Sequence, residues 1–304
     1  MNCWTHNFQM KARGDCIYLT GLFDIHGGTK ACDIERFKED VKIIQDTPNA
    51  YAFLGGDLCE FINPSDKRFD VQTIAQTHMK KLDSLAMSQA NEMIDILRPI
   101  QKKLLFTLTG NHEEKIRKVY NNDITNYVAM ALGIPDLGLI GVVRLTFSRS
   151  GLDKNRASRA LVLFAAHGFG SAAKYGGKIN RIIDLMQWIE ADIYWCGHVH
   201  AKGFAQSVKL ELSRQDVPFI KQKNRIAILG GSYLRVYVPG MNSYGEKVGF
   251  MPTPLGCITA KITPFPGQHW VDGRKIENQS EIQINTTIDV SGYDINMPIE
   301  SIKR

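Results

Sequence analysis

The sequence predicts a layered α/β protein in which two β-sheets pack together, and three observations lead there. Short apolar runs recur along the chain, and each stops at a polar or glycine-containing turn. Helical patterns lie between the early runs. After about residue 202 the helical patterns thin out and strand patterns dominate. Alternating strands and helices imply a layered α/β arrangement, and the late strands are expected to form a second sheet packed on the first.

Cys16–Phe23 ends at Asp24-Ile25-His26, and Tyr51–Leu54 ends at Gly55-Gly56-Asp57. Leu104–Thr109 ends at Gly110-Asn111-His112-Glu113, and Leu161–Ala166 ends at His167-Gly168. Ile193–Cys196 ends at Gly197-His198-Val199-His200, and Ile226–Leu229 at Gly230-Gly231-Ser232. β-Branched and aromatic runs bounded by glycine read as buried strands. Between them, Asp33 is a candidate N-cap for a helix with Ile34, Phe37, Val41 and Ile44 on one face. Val71 to Leu97 carries a longer stripe of Ile74, Met79, Leu82, Met93, Ile94 and Leu97, and Ile179–Ile189 a shorter one. Phe204–Leu212, Tyr233–Val238, Cys257–Ile262 and Glu281–Ile288 read as the later strands. The expectation is one domain over residues 1–304, with a helical insertion at about 63–103 as a possible cap and a peripheral tail at about 289–304.

Bulk properties exclude several classes. Hydrophobic residues make up 44% and charged residues 22%, which is the composition of an ordinary globular chain and not of a disordered one. The formal charge of +6 favours an anionic partner only weakly. The six cysteines stand singly without a C-x-x-C pair, so neither a disulfide framework nor a thiolate metal site is expected. No apolar h-region opens the chain and no run is long enough to span a bilayer. A cytoplasmic protein with no membrane partner is the expectation.

Function enters through the residues just past the strand ends. His26, His112, His167, His198 and His200 stand there together with Asp24, Asp57 and Asn111. Ligands gather outside the carboxyl ends of strands in α/β sheets. Imidazole, carboxylate and amide oxygen without thiolate suit Mn, Fe, Zn or Ni. In D-x-H and H-x-H on extended chain, residues i and i+2 point the same way and can grip neighbouring ions. Gly55-Gly56, Gly110 and Gly197 are expected to let the backbone approach metals and substrate.

The ordered set D-x-H, G-D, G-N-H-E, H and G-H-V-H, from Asp24 through His200, closely resembles the calcineurin-like metallophosphoesterase superfamily. The resemblance covers about the first two thirds of the chain. It implies a four-layered α/β/β/α sandwich of two mixed sheets flanked by helices. It also implies two divalent metal ions, with manganese the leading choice. Asp24, His26 and His200 would hold the first, Asn111, His167 and His198 the second, and Asp57 would bridge them. His112 would act at the leaving group, with Glu113 orienting it. Two ions sharing a water can lower its pKa far enough for hydroxide to attack phosphorus near neutrality.

The chain departs from the serine/threonine protein phosphatase branch. Leu58-Cys59-Glu60 follows Asp57 in place of V-D-R-G, and Thr109 stands where that branch has arginine. It is more similar to phage and bacterial members of the phosphodiesterase and nuclease branches. Basic residues near the expected rim (Lys115, Arg117, Lys118, Lys174, Lys178, Arg181) and Tyr175, able to stack on a base, suit a nucleic-acid or nucleotide phosphodiester. Lys174, Tyr175, Lys178 and Arg235 are the candidate substrate contacts. A phosphomonoesterase acting on a small metabolite, and a non-catalytic binding scaffold, stand as alternatives.

Overall fold

A computed structural model describes residues 1–62, 69–149, 157–170, 172, 174–213, 218–241, 243–266, 268–271, 274–277 and 280–285. The strands are β1 (Asn2–Met10), β2 (Ile17–Leu22), β3 (Ala50–Leu54), β4 (Leu104–Thr107), β5 (Ile140–Arg149), β6 (Ala157–Ala166) and β7 (Ile193–Cys196). They continue with β8 (Lys202–Leu212), β9 (Ile220–Gly230), β10 (Ile258–Thr263), β11 (Gln268–Val271), β12 (Arg274–Glu277) and β13 (Glu281–Asn285). The helices are α1 (Ile34–Asp46), α2 (Leu85–Leu97), α3 (Asn111–Tyr120), α4 (Ile124–Leu132), α5 (Tyr175–Leu185) and the short α6 (Tyr244–Val248).

Two mixed sheets result. One runs β1-β5-β6-β7-β9-β8, and the other β13-β10-β2-β3-β4. β6, β7 and β9 are mutually parallel, as are β2, β3 and β4. The sheets face each other across a shared core. Leu19, Phe53, Phe106, Ile258, Ala260 and Ile262 enter it from one sheet, and Leu145, Leu163, Trp195 and Ile228 from the other.

Helices α1, α2 and α4 cover the outer face of β2–β4, with Phe37, Val41, Met93, Ile94, Leu97, Val128 and Leu132 buried there. Helix α5 covers the outer face of β6, β7 and β9 through Ile182 and Leu185. The order of layers is therefore α/β/β/α. Each fully buried aliphatic or aromatic side chain contributes roughly 1.5–3 kcal/mol, and these layers are how the chain gathers enough of them.

Several elements differ from the sequence expectation. The late strands do not make a sheet of their own. β8 and β9 extend the sheet of β5–β7, while β10 pairs antiparallel with β2 and carries β13. β1 and β5 stand outside the expected strands, because their apolar residues alternate with polar ones instead of forming runs. Tyr233–Val238 is not a strand. Tyr233 N donates to Asp24 O and Arg235 N to Ala31 O, so this segment braces the loop after β2.

The stripe from Val71 to Leu97 is not one helix either. It breaks into 3-10 turns before α2 because Lys30 N bonds Thr73 O and Ala75 N bonds Gly28 O, which takes backbone groups a helix would need. In the stretch expected as a cap, α2 lies in the helical layer, and residues 63–68 fall outside the described residues. The expected tail at 289–304 also falls outside them. Among the described residues no helix is long and apolar enough to cross a membrane.

Candidate metal centre

The carboxyl ends of β2, β3, β7 and β9 converge on one side chain, Phe23. A Cβ placed on Gly55, Gly197 or Gly230 would lie 2.1, 2.3 or 2.2 Å from atoms of its ring. These glycines therefore make room for a buried ring beneath the site, whereas for Gly55 and Gly197 the sequence suggests room for metals and substrate. Phe23 is fully buried and directly precedes Asp24, so the ring fixes the floor from which the first acidic residue rises.

Seven non-glycine residues have positive φ among the described residues, and five of them are candidate ligands: Asp24 (48°), His26 (53°), Asp57 (51°), His198 (67°) and His200 (46°). Left-handed backbone costs a non-glycine residue roughly 1–3 kcal/mol and gathers at functional sites. This corrects the expectation of extended D-x-H and H-x-H segments. The chain turns sharply at these five residues, and the turn, not strand alternation, aims their side chains at a common point.

Asp57 stands at that point. Its Oδ1 accepts the His112 backbone N–H at 2.9 Å, at the start of α3, where the positive end of the helix favours a carboxylate. Its Oδ2 lies 3.3 Å from His167 Nε2, 3.9 Å from His26 Nε2 and 4.0 Å from His112 Nε2. On one side, His26 Nε2 and His200 Nε2 are 3.2 Å apart, and His200 Nε2 is 3.7 Å from Asp24 Oδ1. On the other, His167 Nε2 lies 3.1 Å from Asn111 Oδ1, and His198 lies beside it with ring centroids 5.3 Å apart. Ligand atoms of Asp24, His26 and His200, and of Asp57, His167 and His198, lie within 4.8 Å of one another in each group.

The ligand candidates are held from behind. His167 Nδ1 donates to Gly55 O at 2.9 Å, which leaves Nε2 facing the centre. Asp24 Oδ2 accepts the His198 N–H at 2.7 Å. Asp24 Oδ1 is buried without a hydrogen-bond partner, and a buried carboxylate oxygen left that way is costly unless a cation meets it.

The electrostatics agree. Burial pushes the Asp24 carboxyl up to about 7. Burial would also raise Asp57, but His167, His112 and His26 hold it well below the ordinary carboxylate range. Burial alone would lower His26, yet the hydrogen bond and charge of Glu60, with Asp57 and Asp24, lift it to about 9. Burial would lower His167 too, and the neighbouring Asp57 carboxylate does most to lift it to about 10. Burial lowers His198 and His200. Buried carboxylates thus favour the charged form of two imidazoles, and they would favour divalent cations in the same way. The donor set of imidazole, carboxylate and amide fits such ions.

Two contacts behind the ligands differ from expectation. Glu113 does not orient His112. Its carboxylate accepts N–H groups from Asp57 (3.0 Å), Leu58 (2.8 Å) and Gly110 (3.0 Å), stitching the loop after β3 to the start of α3. Burial pushes Glu113 up to about 7. The residue that does position the histidines is Glu60. Its carboxylate meets His26 Nδ1 at 2.9 Å, and its backbone carbonyl accepts from His112 Nδ1. The only signal in the sequence is an acid three residues after Asp57, which spacing alone does not connect to two rings.

The candidate substrate contacts divide. Arg235 is ion-paired with Asp33 at 2.8 Å. Tyr175 donates its hydroxyl to Lys202 O at 2.8 Å and lies against Gly203, so it is anchored to β8. Lys174 is exposed ahead of α5, and Lys178 lines a small groove that begins at Gly168 and Gly197, next in the chain to His167 and His198.

No family model matches the chain, and no curated protein matches it. Among solved structures, it is 13% identical to a Vps29 from Entamoeba histolytica complexed with zinc, with a TM-score of 0.35, over 88% of this chain and 99% of that one. It is 12% identical to a predicted phosphoesterase from Streptococcus pneumoniae, with a TM-score of 0.31, over 89% and 99% of the two chains. It is 9% identical to a metallophosphoesterase from Sphaerobacter thermophilus, with a TM-score of 0.34, over 87% and 88%. Likenesses this distant say nothing of activity, and the functional reading rests on the site's own geometry.

Proposed function

We propose that this chain is a two-metal phosphoesterase that cleaves phosphodiester bonds of nucleic acids or nucleotides. The observation that carries the reading is Asp57 Oδ2, which faces His26 on one side and His167 on the other while Oδ1 is fixed by α3. Asp24, His26 and His200 would hold one ion, Asn111, His167 and His198 the other, and Asp57 both. A pair of divalent ions supplies an activated water at neutral pH and neutralises charge developing on phosphoryl oxygens. Manganese suits these donors.

The protein's own groups supply position and a proton. His112 is buried, and its Nδ1 donates to the Glu60 carbonyl, which turns Nε2 toward Asp57. When the ring is doubly protonated, Nε2 can give its proton to the departing oxygen. Glu60 holds the His26 ring, and Glu113 keeps the loops of Asp57 and Asn111 in register. Thr109 precedes Gly110, so no guanidinium stands there to meet the second charge of a monoester, which favours a diester.

The test is hydrolysis of bis(p-nitrophenyl) phosphate and p-nitrophenyl phosphate side by side, after chelation and readdition of manganese. Manganese-dependent turnover with the diester preferred is expected. A monoester preference would replace this reading with a phosphomonoesterase. Full metal loading with neither substrate cleaved would replace it with a non-catalytic scaffold.

A further inference from the structure

Beside the centre, the residues just after β6 and the first turns of α5 line a groove walled by Gly168, Phe169, Lys178, Arg181, Gly197 and Val199. It begins where the ligand set ends. A Cβ on Gly168 would lie 2.7 Å from Gly197 O and 3.0 Å from His198 Cβ. A Cβ on Gly170 would lie 3.3 Å from the Arg181 guanidinium carbon.

Two features of this groove are uncommitted. Among the described residues, Lys178 and Arg181 make neither a side-chain hydrogen bond nor an ion pair. Lys178 is half-buried, and burial lowers its pKa with no acid to offset it. The acid Glu190, beyond the end of α5, is already engaged by Lys209 and Lys223. Phe169 and Trp188 stack with ring planes 6° apart and centroids 5.5 Å apart, yet they remain 39% and 63% exposed. Flat exposed rings beside uncommitted cations match a base and its phosphate. A base can use such a platform only when its own face is free, which excludes a paired duplex.

We propose that this groove holds the nucleotide flanking the scissile phosphodiester of a single-stranded nucleic acid. Its base lies against Trp188 and Phe169, and its phosphate lies on Lys178 and Arg181. The proposal rests on the phosphodiesterase reading for the bond cleaved, while the binding itself comes from the groove's own residues.

The test is fluorescence anisotropy of a fluorescein-labelled phosphorothioate oligothymidylate, which resists cleavage, titrated with the manganese-loaded protein. Trp188→Ala and Phe169→Ala should each weaken binding about tenfold, and Trp188→Phe should retain it. Lys178→Gln and Arg181→Gln should each lower the slope of log Kd against log salt by about 0.7. Unchanged Kd in Trp188→Ala, or tripolyphosphate competing as well as an oligonucleotide of equal charge, would overturn the base platform. Bis(p-nitrophenyl) phosphate turnover by the unaltered protein is read in parallel. Turnover without oligonucleotide binding would overturn the groove and leave the metal centre standing. Binding without turnover would overturn the diesterase reading and leave the groove.

Discussion

The candidate metal centre and the α5 groove share a wall at Gly168 and Gly197, yet their polar groups are deployed in opposite ways. At the candidate centre four of the side chains are engaged from behind: Asp57 by His112 N, His167 by Gly55 O, Asp24 by His198 N, His26 by Glu60. Five residues of the centre hold left-handed backbone, and their side chains are largely buried. In the groove, among the described residues, the cations have no partner and the aromatic rings face solvent. Backbone strain and burial thus concentrate at the candidate centre, as preorganised ligands would require, while the polar and aromatic groups of the groove stay at the surface.

The largest expected effect tests whether Asp57 serves both sides. Asp57→Asn keeps the size of the side chain but removes the charge shared between His26 and His167. Both ions should be lost together, with diester turnover falling to background, as read by metal content after desalting. Retention of the full metal complement in a folded variant would break the bridging assignment.

The next effect separates scaffold from surface. Phe23→Ala should destabilise the fold by about 3–5 kcal/mol, because three strand ends pack on that ring. Trp188→Ala should stay within about 0.5 kcal/mol. Urea unfolding of the two variants measures this, and equal midpoints would erase the contrast between them.

His112→Gln should retain both ions and slow turnover roughly a hundredfold, as expected for loss of a general acid. The effect should be greatest on substrates with poor leaving groups. Equal turnover of such a substrate by the variant and the unaltered protein would remove His112 from proton transfer.

The same contrast governs how much the sequence discloses. The centre is legible because its chemistry sits in short contiguous strings after apolar runs, such as Gly110-Asn111-His112 and Gly197-His198-Val199-His200. The alternating strands β1 and β5 are not legible, because half their residues are polar and no run stands out. The partition of late strands between sheets is not legible either, since β10 finds β2 across more than 200 residues of chain. Phe169 and Trp188 lie 19 positions apart, and only the fold of α5 back over the β6 loop stacks them. Tyr175 is the more obvious aromatic in the sequence, and its hydroxyl is spent on Lys202.

The smallest effect concerns Glu60, which touches two histidines in two different ways. Its side chain meets His26, while only its backbone carbonyl meets His112. Glu60→Ala should therefore weaken manganese affinity roughly 10–100-fold, the usual result of removing the outer partner of a ligand histidine. Glu60→Gln should recover part of that loss, because its amide oxygen can still accept from Nδ1. At saturating manganese, both variants should approach the original kcat, since the backbone contact to His112 survives either change. Manganese titrations followed by diester turnover give both quantities. An unchanged affinity in Glu60→Ala would mean that the loop backbone alone orients His26, and that the strained turns at Asp24 and His26 already preorganise the first metal position.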